Sequence, residues 1–375
     1  WYKQDLSGTK LKKALNNEKL TFKELVAAYK NDAKESYATF RENIKSPLKR
    51  AVYGQRISNI ASGLLRGFII FGLAFIIIYP IFQEVIVAIK DPIDLNNPLV
   101  IWIPEHFSLI NAKIASELLD YWNALKNNIK ISAFTAILQV ASTSLAGYAF
   151  ARLRFKGSDL VFWVIMLTLL VPPQTTTLAR ALYFSHFDIF GIFEALTGEA
   201  LTLKGEGKDV ILYIMAIFGQ GIRAALFVFL FKQFFRGIPV ELEESAQIDG
   251  AGVVRTFWSV MLPNARGCIT TVSLFAFVWQ WNDSFYIKEY GLSGDSFPLM
   301  TMRLMNISEW VANLLKAPQY KHLYFLVGEE VGSNPQFVKA ITNTAAFLMM
   351  LPLLIGYLFV QRLFIEGVER SGIVG

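Results

Sequence analysis

Charged side chains are scarce in this 375-residue sequence: Asp, Glu, Lys and Arg make up 18% of it, against roughly 25% in soluble domains. Hydrophobic residues make up 54%, and phenylalanine alone contributes 31 residues. So little polar sequence cannot cover a water-soluble globule of this size. The composition therefore excludes an ordinary soluble protein and predicts a chain that lies largely in a membrane.

Several chemical patterns are also missing. A single cysteine excludes an internal disulfide, and the three histidines, His106, His186 and His322, have no ligand-like spacing, so no metal site is predicted. No nucleophile–base pattern is found. Gly207-Lys208 lacks the following Ser or Thr and the earlier Gly of a phosphate-binding loop. The sequence therefore predicts neither an enzyme nor a nucleotide-binding chain.

Apolar runs are what the sequence does contain, each close to the ~20 residues that a membrane-spanning helix needs. They predict six spans: Gly67 to Ile89, Ile131 to Ala151, Leu160 to Ala179, Val210 to Phe231, Gly267 to Ile287 and Ala340 to Gln361. The predicted fold is therefore all-α and integral to the membrane. An even number of spans places both termini on the same side.

Lys and Arg are distributed unevenly over the segments between these spans. Residues 1–66 hold fourteen Lys and Arg against six Asp and Glu, and residues 152–156 hold three basic residues and no acid. The segments on the other side are balanced or slightly acidic. Because basic loops stay in the cytoplasm, both termini are predicted to be cytoplasmic. Anionic lipid then explains the net charge of +6, and no nucleic-acid partner is expected.

Two parts of the chain are predicted. Residues 1–63 form a basic cytoplasmic extension, in which Leu11 to Glu42 is either one or two amphipathic helices at the membrane surface or a partly disordered tail. Residues 64–375 form the transmembrane domain, in which Met300 to Lys316 has helical spacing. Its long external loops are residues 180–209 and 288–339. Loops of such length usually have a role, and we expect them to enlarge an external docking surface.

A cytoplasmic loop, residues 232–266, joins the fourth and fifth predicted spans. Pro239 is placed to start a helix, and the glutamates that follow suit the positive end of its dipole. Gly250 is suited to end that helix in a left-handed cap. A second helix is predicted from about Val253, and Leu262-Pro263 ends it before the fifth span. The loop therefore predicts a short acidic helix that lies across the membrane face and docks on a partner.

The spacing within this loop is specific. Glu244-Ser245-Ala246 is followed after three residues by Gly250, and then by Val260 and Leu262-Pro263. It resembles the EAA loop of binding-protein-dependent ABC importer permeases, in which Ser245 would be an alanine. Further stretches resemble the maltose-type carbohydrate branch: Leu145 to Gly157, Val171 to Gln174, Trp281 to Asp283 and Gly367 to Gly375. The resemblance covers roughly Leu64 to Gly375.

The resemblance implies a type I ABC importer permease fold in a bacterial inner (plasma) membrane, and a transporter subunit in place of an enzyme. It implies a second permease, usually in a heterodimer, two ATPase subunits that hold ATP and Mg, and an external solute-binding protein that delivers a sugar or oligosaccharide. No cofactor is expected on this chain. The residues implied in ATPase coupling are Glu241, Glu244, Ser245, Ala246, Asp249, Gly250, Leu262 and Pro263.

Polar and aromatic side chains within the predicted spans are candidates for a sugar path, because sugars need hydrogen-bond partners and tryptophan rings stack on pyranose faces. The candidates are Gln139, Arg223, Trp279, Trp281, Asn282 and Asp283. Interhelical hydrogen bonding is the rival explanation for each of them. Arg223 either faces the pore or pairs with Asp283 or with an acid of the partner permease.

Two alternative functions differ in class. An ABC permease for a non-sugar solute shares the EAA loop, and ligand-dependent stimulation of the ATPase by the cognate binding protein separates it from a sugar importer. A stand-alone secondary transporter or channel works without ATPase partners, and it leaves the EAA spacing unexplained.

Overall fold

The structure is a computed structural model that describes residues 30, 33–34, 37–39, 41, 47–97, 99–153, 155–188, 191–314, 317–320, 323 and 334–372. The chain divides into two compact units, Trp1–Pro80 and Ile81–Gly375. The amphipathic helices predicted within Leu11 to Glu42 fall almost wholly outside the described residues. The predicted division near residue 63 stays a prediction.

The described residues form helices and contain no strand beyond isolated bridges between Lys90 and Phe107 and between Phe187 and Leu201. The helices are α1 (Pro47–Ile89), α2 (Ile110–Leu119), α3 (Tyr121–Arg152), α4 (Ser158–Leu167), α5 (Thr177–Ser185), α6 (Ile192–Thr197), α7 (Val210–Ile217), α8 (Ala224–Gly237), α9 (Val240–Ile248), α10 (Val253–Thr256), α11 (Leu262–Asn264), α12 (Arg266–Trp281), α13 (Phe285–Glu289), α14 (Met300–Met305), α15 (Ile307–Leu314) and α16 (Pro335–Gly372). Short 3₁₀ turns occupy Pro92–Asn96, Pro173–Thr176 and Pro318–Tyr320, and a π-helical turn occupies Phe257–Met261. The all-α prediction is confirmed.

Three helices are long and apolar enough to cross a membrane: Gly54–Ile89, Tyr121–Arg152 and Pro335–Arg362. They contain the first, second and sixth predicted spans. The bent pair Val253–Asn264 and Arg266–Trp281, with an angle of 81°, forms a fourth candidate if it is one span. The total of six spans stays a prediction.

The third, fourth and fifth predicted spans are interrupted, which corrects the expectation of continuous helices. In the fifth, α12 ends at Trp281 and α13 begins at Phe285, within the predicted range. In the third, α4 ends at Leu167 and α5 begins at Thr177. Pro172 and Pro173 lie between them, and proline has no N–H to continue a helix. In the fourth, six residues separate α7 from α8, and Gly219 within that break has a φ of +68°.

Helix α3 lies at the centre of the second unit and packs against α7, α8 and α12. It approaches α8 closely at Gly147, where an added Cβ would lie 2.4 Å from Cβ of Phe231 and 3.0 Å from the backbone nitrogen of Lys232. Only a residue without a side chain fits there. Buried residues of α3, α8, α12 and the π-helical turn form one apolar core, which includes Phe227, Phe231, Phe235, Phe257, Met261 and Val272.

A second core lies where α2, α15 and α16 meet, and it contains Ile114, Val311 and Ile341. The helix predicted at Met300 to Lys316 is present as α14 and α15, with Asn306 between them, and its last two residues lie outside the described part of the chain. Part of the long loop 288–339 is therefore a packed element of the fold.

We expect Gly147→Ala to lower stability by about 1–3 kcal/mol, the usual cost of overpacking a close helix contact. Gly356→Ala is the matched control, because Gly356 is also helical and nothing lies within 4 Å of its added Cβ. The measurement is the apparent melting temperature of the detergent-purified protein. Equal melting temperatures in the two variants would contradict the close-packing argument.

Candidate functional site

The predicted coupling loop forms two helical arms with a sharp corner between them. Helix α9 begins after Pro239 and ends at Ile248, and Gly250 follows with a φ of +80°. The N–H of Ala251 donates to the Ala246 carbonyl at 2.9 Å, and the N–H of Gly250 donates to the Gln247 carbonyl at 3.0 Å. This is the Schellman arrangement, in which a left-handed residue satisfies the last carbonyls of a helix. The predicted role of Gly250 as a left-handed cap is confirmed.

Most of α9 is exposed. Glu241, Glu244 and Ser245 are exposed and Ala246 is half-buried, while Asp249 and Gly250 at the corner are exposed. The sequence analysis did not single out Ile248, which is 86% exposed, or Val254, which is 71% exposed. Exposed apolar side chains beside acidic ones are typical of a protein–protein contact. Ile248 lies in a helix that is otherwise mostly polar, so the sequence alone did not indicate that its side chain is exposed.

Glu243 faces the opposite way and is buried. Its Oε1 accepts a hydrogen bond from the Tyr148 hydroxyl at 2.9 Å, and its Oε2 lies 3.5 Å from Nε of Arg152. Nη2 of Arg152 also donates to the carbonyl of Phe235 at 2.9 Å and to that of Ile238. One guanidinium thus connects α3, the end of α8 and helix α9. Glu241 and Glu244 are among the predicted coupling residues and Glu243 is not, so this contact was missed.

The second arm of the loop is anchored by apolar packing. It runs through Val253–Asn264, and its π-helical turn places Phe257 and Met261 in the core. The ring centroid of Phe257 lies 5.2 Å from that of Tyr148. Leu262 is half-buried and Pro263 is exposed, and the helix continues to Asn264, slightly past the predicted end. The 81° bend follows at Ala265, before α12.

A cleft of about 630 Å³ lies between α9, the end of α8 and the turn before α4. Lys232 in its wall is only 6% exposed, and its Nζ lies 3.4 Å from the centroid of the Phe162 ring. Glu244 and Gln247 also line it. Glu243 and Arg152 line the same cleft, so their buried contact lies at its edge, between α9 and the end of α3.

Three of the predicted sugar-path residues are buried and engaged within the chain. Nε2 of Gln139 donates to the carbonyl of Ile222 at 2.7 Å, where the fourth span is broken. Nε1 of Trp281 donates to the carbonyl of Met349 at 3.3 Å. Asp283 accepts from the backbone N–H of Tyr286. The contacts of Gln139 and Trp281 correspond to the interhelical alternative, whereas the contact of Asp283 is local to the turn after α12.

Of the other three predicted path residues, Arg223 and Asn282 are exposed and Trp279 is half-buried. Arg223 is exposed, has a left-handed φ of +56°, and its guanidinium carbon lies 5.3 Å from the centroid of the Trp279 ring. Trp279 also stacks with Phe227 at 5.3 Å. Asn282 is exposed at the end of α12. Among the described residues, the ion pairs do not include Arg223, so its predicted pairing with Asp283 is not seen.

His106 closes the loop between α1 and α2 by contacts with Asp94. Its ring Nδ1 lies 2.8 Å from Oδ1 of Asp94, and its backbone N–H donates to Oδ2 of the same carboxylate at 2.7 Å. With Glu105 these two residues bring possible metal-ligand atoms within 4.8 Å of one another. Both oxygens of Asp94 already accept hydrogen bonds from His106, and these bonds explain the cluster as a loop contact.

The hydrogen bond to Asp94 raises the pKa of His106 above its ordinary value. Because the pKa is raised on folding, this stabilisation is complete below about pH 6.5 and is lost as the pH rises through the raised pKa. We expect NMR titration of the imidazole to show a lower midpoint in Asp94→Asn than in the native protein. The difference in melting temperature between the two should shrink at higher pH. An unchanged midpoint in Asp94→Asn would exclude the contact.

Comparison with known proteins adds to this geometry. The sequence pattern of the family described as "Binding-protein-dependent transport system inner membrane component" matches residues 143–370. The chain is 28% identical over 279 residues to the maltodextrin transport system permease protein MdxG of Bacillus subtilis, covering 73% of this chain and 81% of that protein. It is 25% identical over 306 residues to the arabinooligosaccharides transport system permease protein AraQ of Halalkalibacterium halodurans, covering 81% and 93%.

A solved structure shares the fold. It is a bacterial ABC transporter involved in the import of the acidic polysaccharide alginate; the match has a TM-score of 0.57 and 18% identity, and it covers 82% of this chain and 96% of that one. The family pattern extends over more than half of the chain and includes both arms of the coupling loop. The chain therefore belongs to the inner membrane components of binding-protein-dependent transport systems, and it is a multi-pass membrane transport subunit and not an enzyme.

Proposed function

We propose that this chain forms half of the translocation path of an ATP-driven sugar or oligosaccharide importer, and that α9 docks on a cytoplasmic ATPase subunit. The observation that carries the proposal is the form of the loop between the fourth and fifth spans. It presents the acidic side chains of Glu241 and Glu244 together with exposed Ile248, and Gly250 sets the corner. Such a surface fits a cleft that has both apolar and basic lining.

The proposed assembly has a second permease, two ATPase subunits and an external binding protein. ATP and Mg belong to the ATPase subunits. Closure of the ATPase pair moves α9, and the spans then rock between inward-open and outward-open states as rigid bodies. Both termini lie in the cytoplasm in this proposal, in keeping with the basic residues 152–156 and 1–66.

A sugar cargo is supported by two independent observations. The relatives named above are permeases for maltodextrin and arabinooligosaccharides. Arg223 and Asn282 offer an accessible cation and an accessible amide, and half-buried Trp279 lies beneath the Arg223 guanidinium, next to the break in the predicted fourth span. Broken helices in transporters are common places for substrate binding. Of the predicted path residues, these three are the ones that we assign to the sugar path.

Co-purification tests the assembly. The chain is tagged in its native host, extracted in a mild detergent, and its partners are identified by mass spectrometry. We expect a second permease and an ATPase, and we expect sugar-loaded binding protein to stimulate ATP hydrolysis. A chain that purifies alone and transports solute without ATP would overturn the proposal in favour of a secondary transporter.

Gly250→Pro tests the corner of the loop. Proline requires a φ near −65° and cannot adopt the left-handed value of Gly250. We expect membrane insertion to persist and ATP-driven uptake to be lost, and we expect the same of Glu244→Lys, which reverses an exposed charge. Gly252→Pro is the control, because Gly252 has a φ of −71° that suits proline. Normal uptake in both Gly250→Pro and Glu244→Lys would contradict the coupling role.

A further inference from the structure

Two adjacent glutamates of α9 have opposite environments. Glu244 is exposed, whereas the side chain of Glu243 is 11% exposed and contacts Tyr148 and Arg152. A carboxylate that docks on a partner must be accessible, so Glu243 cannot have the role proposed for Glu244. A buried carboxylate that is paired with a buried guanidinium is instead costly to disturb from either side.

The contacts of Glu243 converge on the cytoplasmic ends of two spans. Tyr148 and Arg152 lie one helical turn apart at the end of α3. Arg152 also binds the carbonyl groups of Phe235 and Ile238, where α8 ends. The carbonyl of Phe235 also accepts the backbone N–H of Ile238 at 3.3 Å, and a carbonyl oxygen has room for both hydrogen bonds. The guanidinium therefore fastens α9, α3 and α8 at a single point.

Tyr148 connects the two arms of the coupling loop. Its hydroxyl donates to Glu243 in the first arm, while its ring contacts Phe257 in the second arm and Phe235 of α8. The corner at Gly250 lies between these two attachment points and is exposed. With the contact intact, neither arm can move relative to α3 without breaking a buried hydrogen bond or opening the aromatic core.

We propose that Glu243, Tyr148 and Arg152 are positioning residues, hereafter the clamp, which carry the displacement of α9 into α3 and α8. The proposal rests on the function proposed above and separates two tasks on one helix. Glu241 and Glu244 bind the ATPase, and the clamp makes α3 and α8 move together with α9. Without the clamp, α9 can rotate about Pro239 and Gly250 while it stays bound to the ATPase. The spans then do not move with it.

The distance between α9 and α3 is the direct readout, and it needs no knowledge of the cargo. Spin labels are placed at Gln247 on α9 and Leu145 on α3, both of which are exposed, after Cys268 is replaced by serine. Double electron–electron resonance is recorded on the purified transporter without nucleotide and after trapping with ATP and vanadate. Retention of the ATPase during purification is measured on the same samples.

The decisive variant is Glu243→Gln, and Glu244→Gln is its matched control. Glutamine keeps an acceptor for Tyr148 and nearly the same volume, but it removes the charge that faces Arg152. In the native protein and in Glu244→Gln we expect one narrow distance that is unchanged by ATP. In Glu243→Gln we expect a broader distribution and an ATP-dependent shift of about 2 Å or more, the scale of helix displacements in such transitions. ATPase retention should fall in Glu244→Gln and stay normal in Glu243→Gln.

Tyr148→Phe provides a second test that does not depend on one variant. It removes a single oxygen and keeps the ring that packs on Phe235 and Phe257. We expect a smaller broadening in the same direction, and no further effect when it is combined with Glu243→Gln, because both changes break the same contact. Native-like distances in both single variants would overturn the clamp, as would a loss of ATPase binding in Glu243→Gln equal to that in Glu244→Gln.

Failure of the clamp is distinguishable from failure of the proposed function. If the native chain retains no ATPase, the importer proposal fails, while broadening in Glu243→Gln can still be recorded on the chain without nucleotide. If the ATPase is retained and the distances of the clamp variants match the native ones, the clamp alone fails.

Discussion

The close contact of α3 with α8 is the constraint on which the rest of the site depends. At Gly147 the two helices approach to a separation that leaves no room for a side chain. This contact places the end of α3 beside the end of α8, so that Arg152 can reach the carbonyls of Phe235 and Ile238. The same approach brings the Tyr148 ring against Phe235. If the helices were farther apart, the buried carboxylate of Glu243 would lack its partners, and a lone buried charge is not tolerated.

The breaks within predicted membrane spans are a second feature that determines how the helices pack. A helix that breaks within a bilayer leaves backbone carbonyls without partners, and these must be satisfied inside the protein. Gln139 of α3 satisfies the carbonyl of Ile222 in the broken fourth span, and Gly221 leaves room for its amide. The left-handed Arg223 follows directly and is held over Trp279. Strained backbone of this kind persists where its surroundings hold it, and it is common at functional sites.

Charge on α9 is divided between its two faces. The exposed face carries acids and apolar side chains, while the buried face contacts the end of α3 through one carboxylate. In the docking proposed above both faces are needed, since a docked helix without an internal anchor would move alone. The apolar packing of Phe257 and Met261 anchors the second arm in the same core, so both arms of the loop share their support.

The sequence by itself determined the membrane class, the all-α fold, the family and the turn at Gly250, because these depend on composition, apolar runs and local spacing. It also placed the long helices at the first, second and sixth spans, where hydropathy is uninterrupted. Pro172 and Pro173 mark the break in the predicted third span in the sequence itself. The tertiary structure alone decided the break in the predicted fourth span, since an apolar run reads the same whether or not other helices satisfy a broken backbone. It alone separated Gln139 and Trp281, which are buried, from the accessible Arg223. It also decided which of the neighbouring glutamates is buried, because that depends on partners roughly 90 residues away on α3, and no local pattern records such a contact.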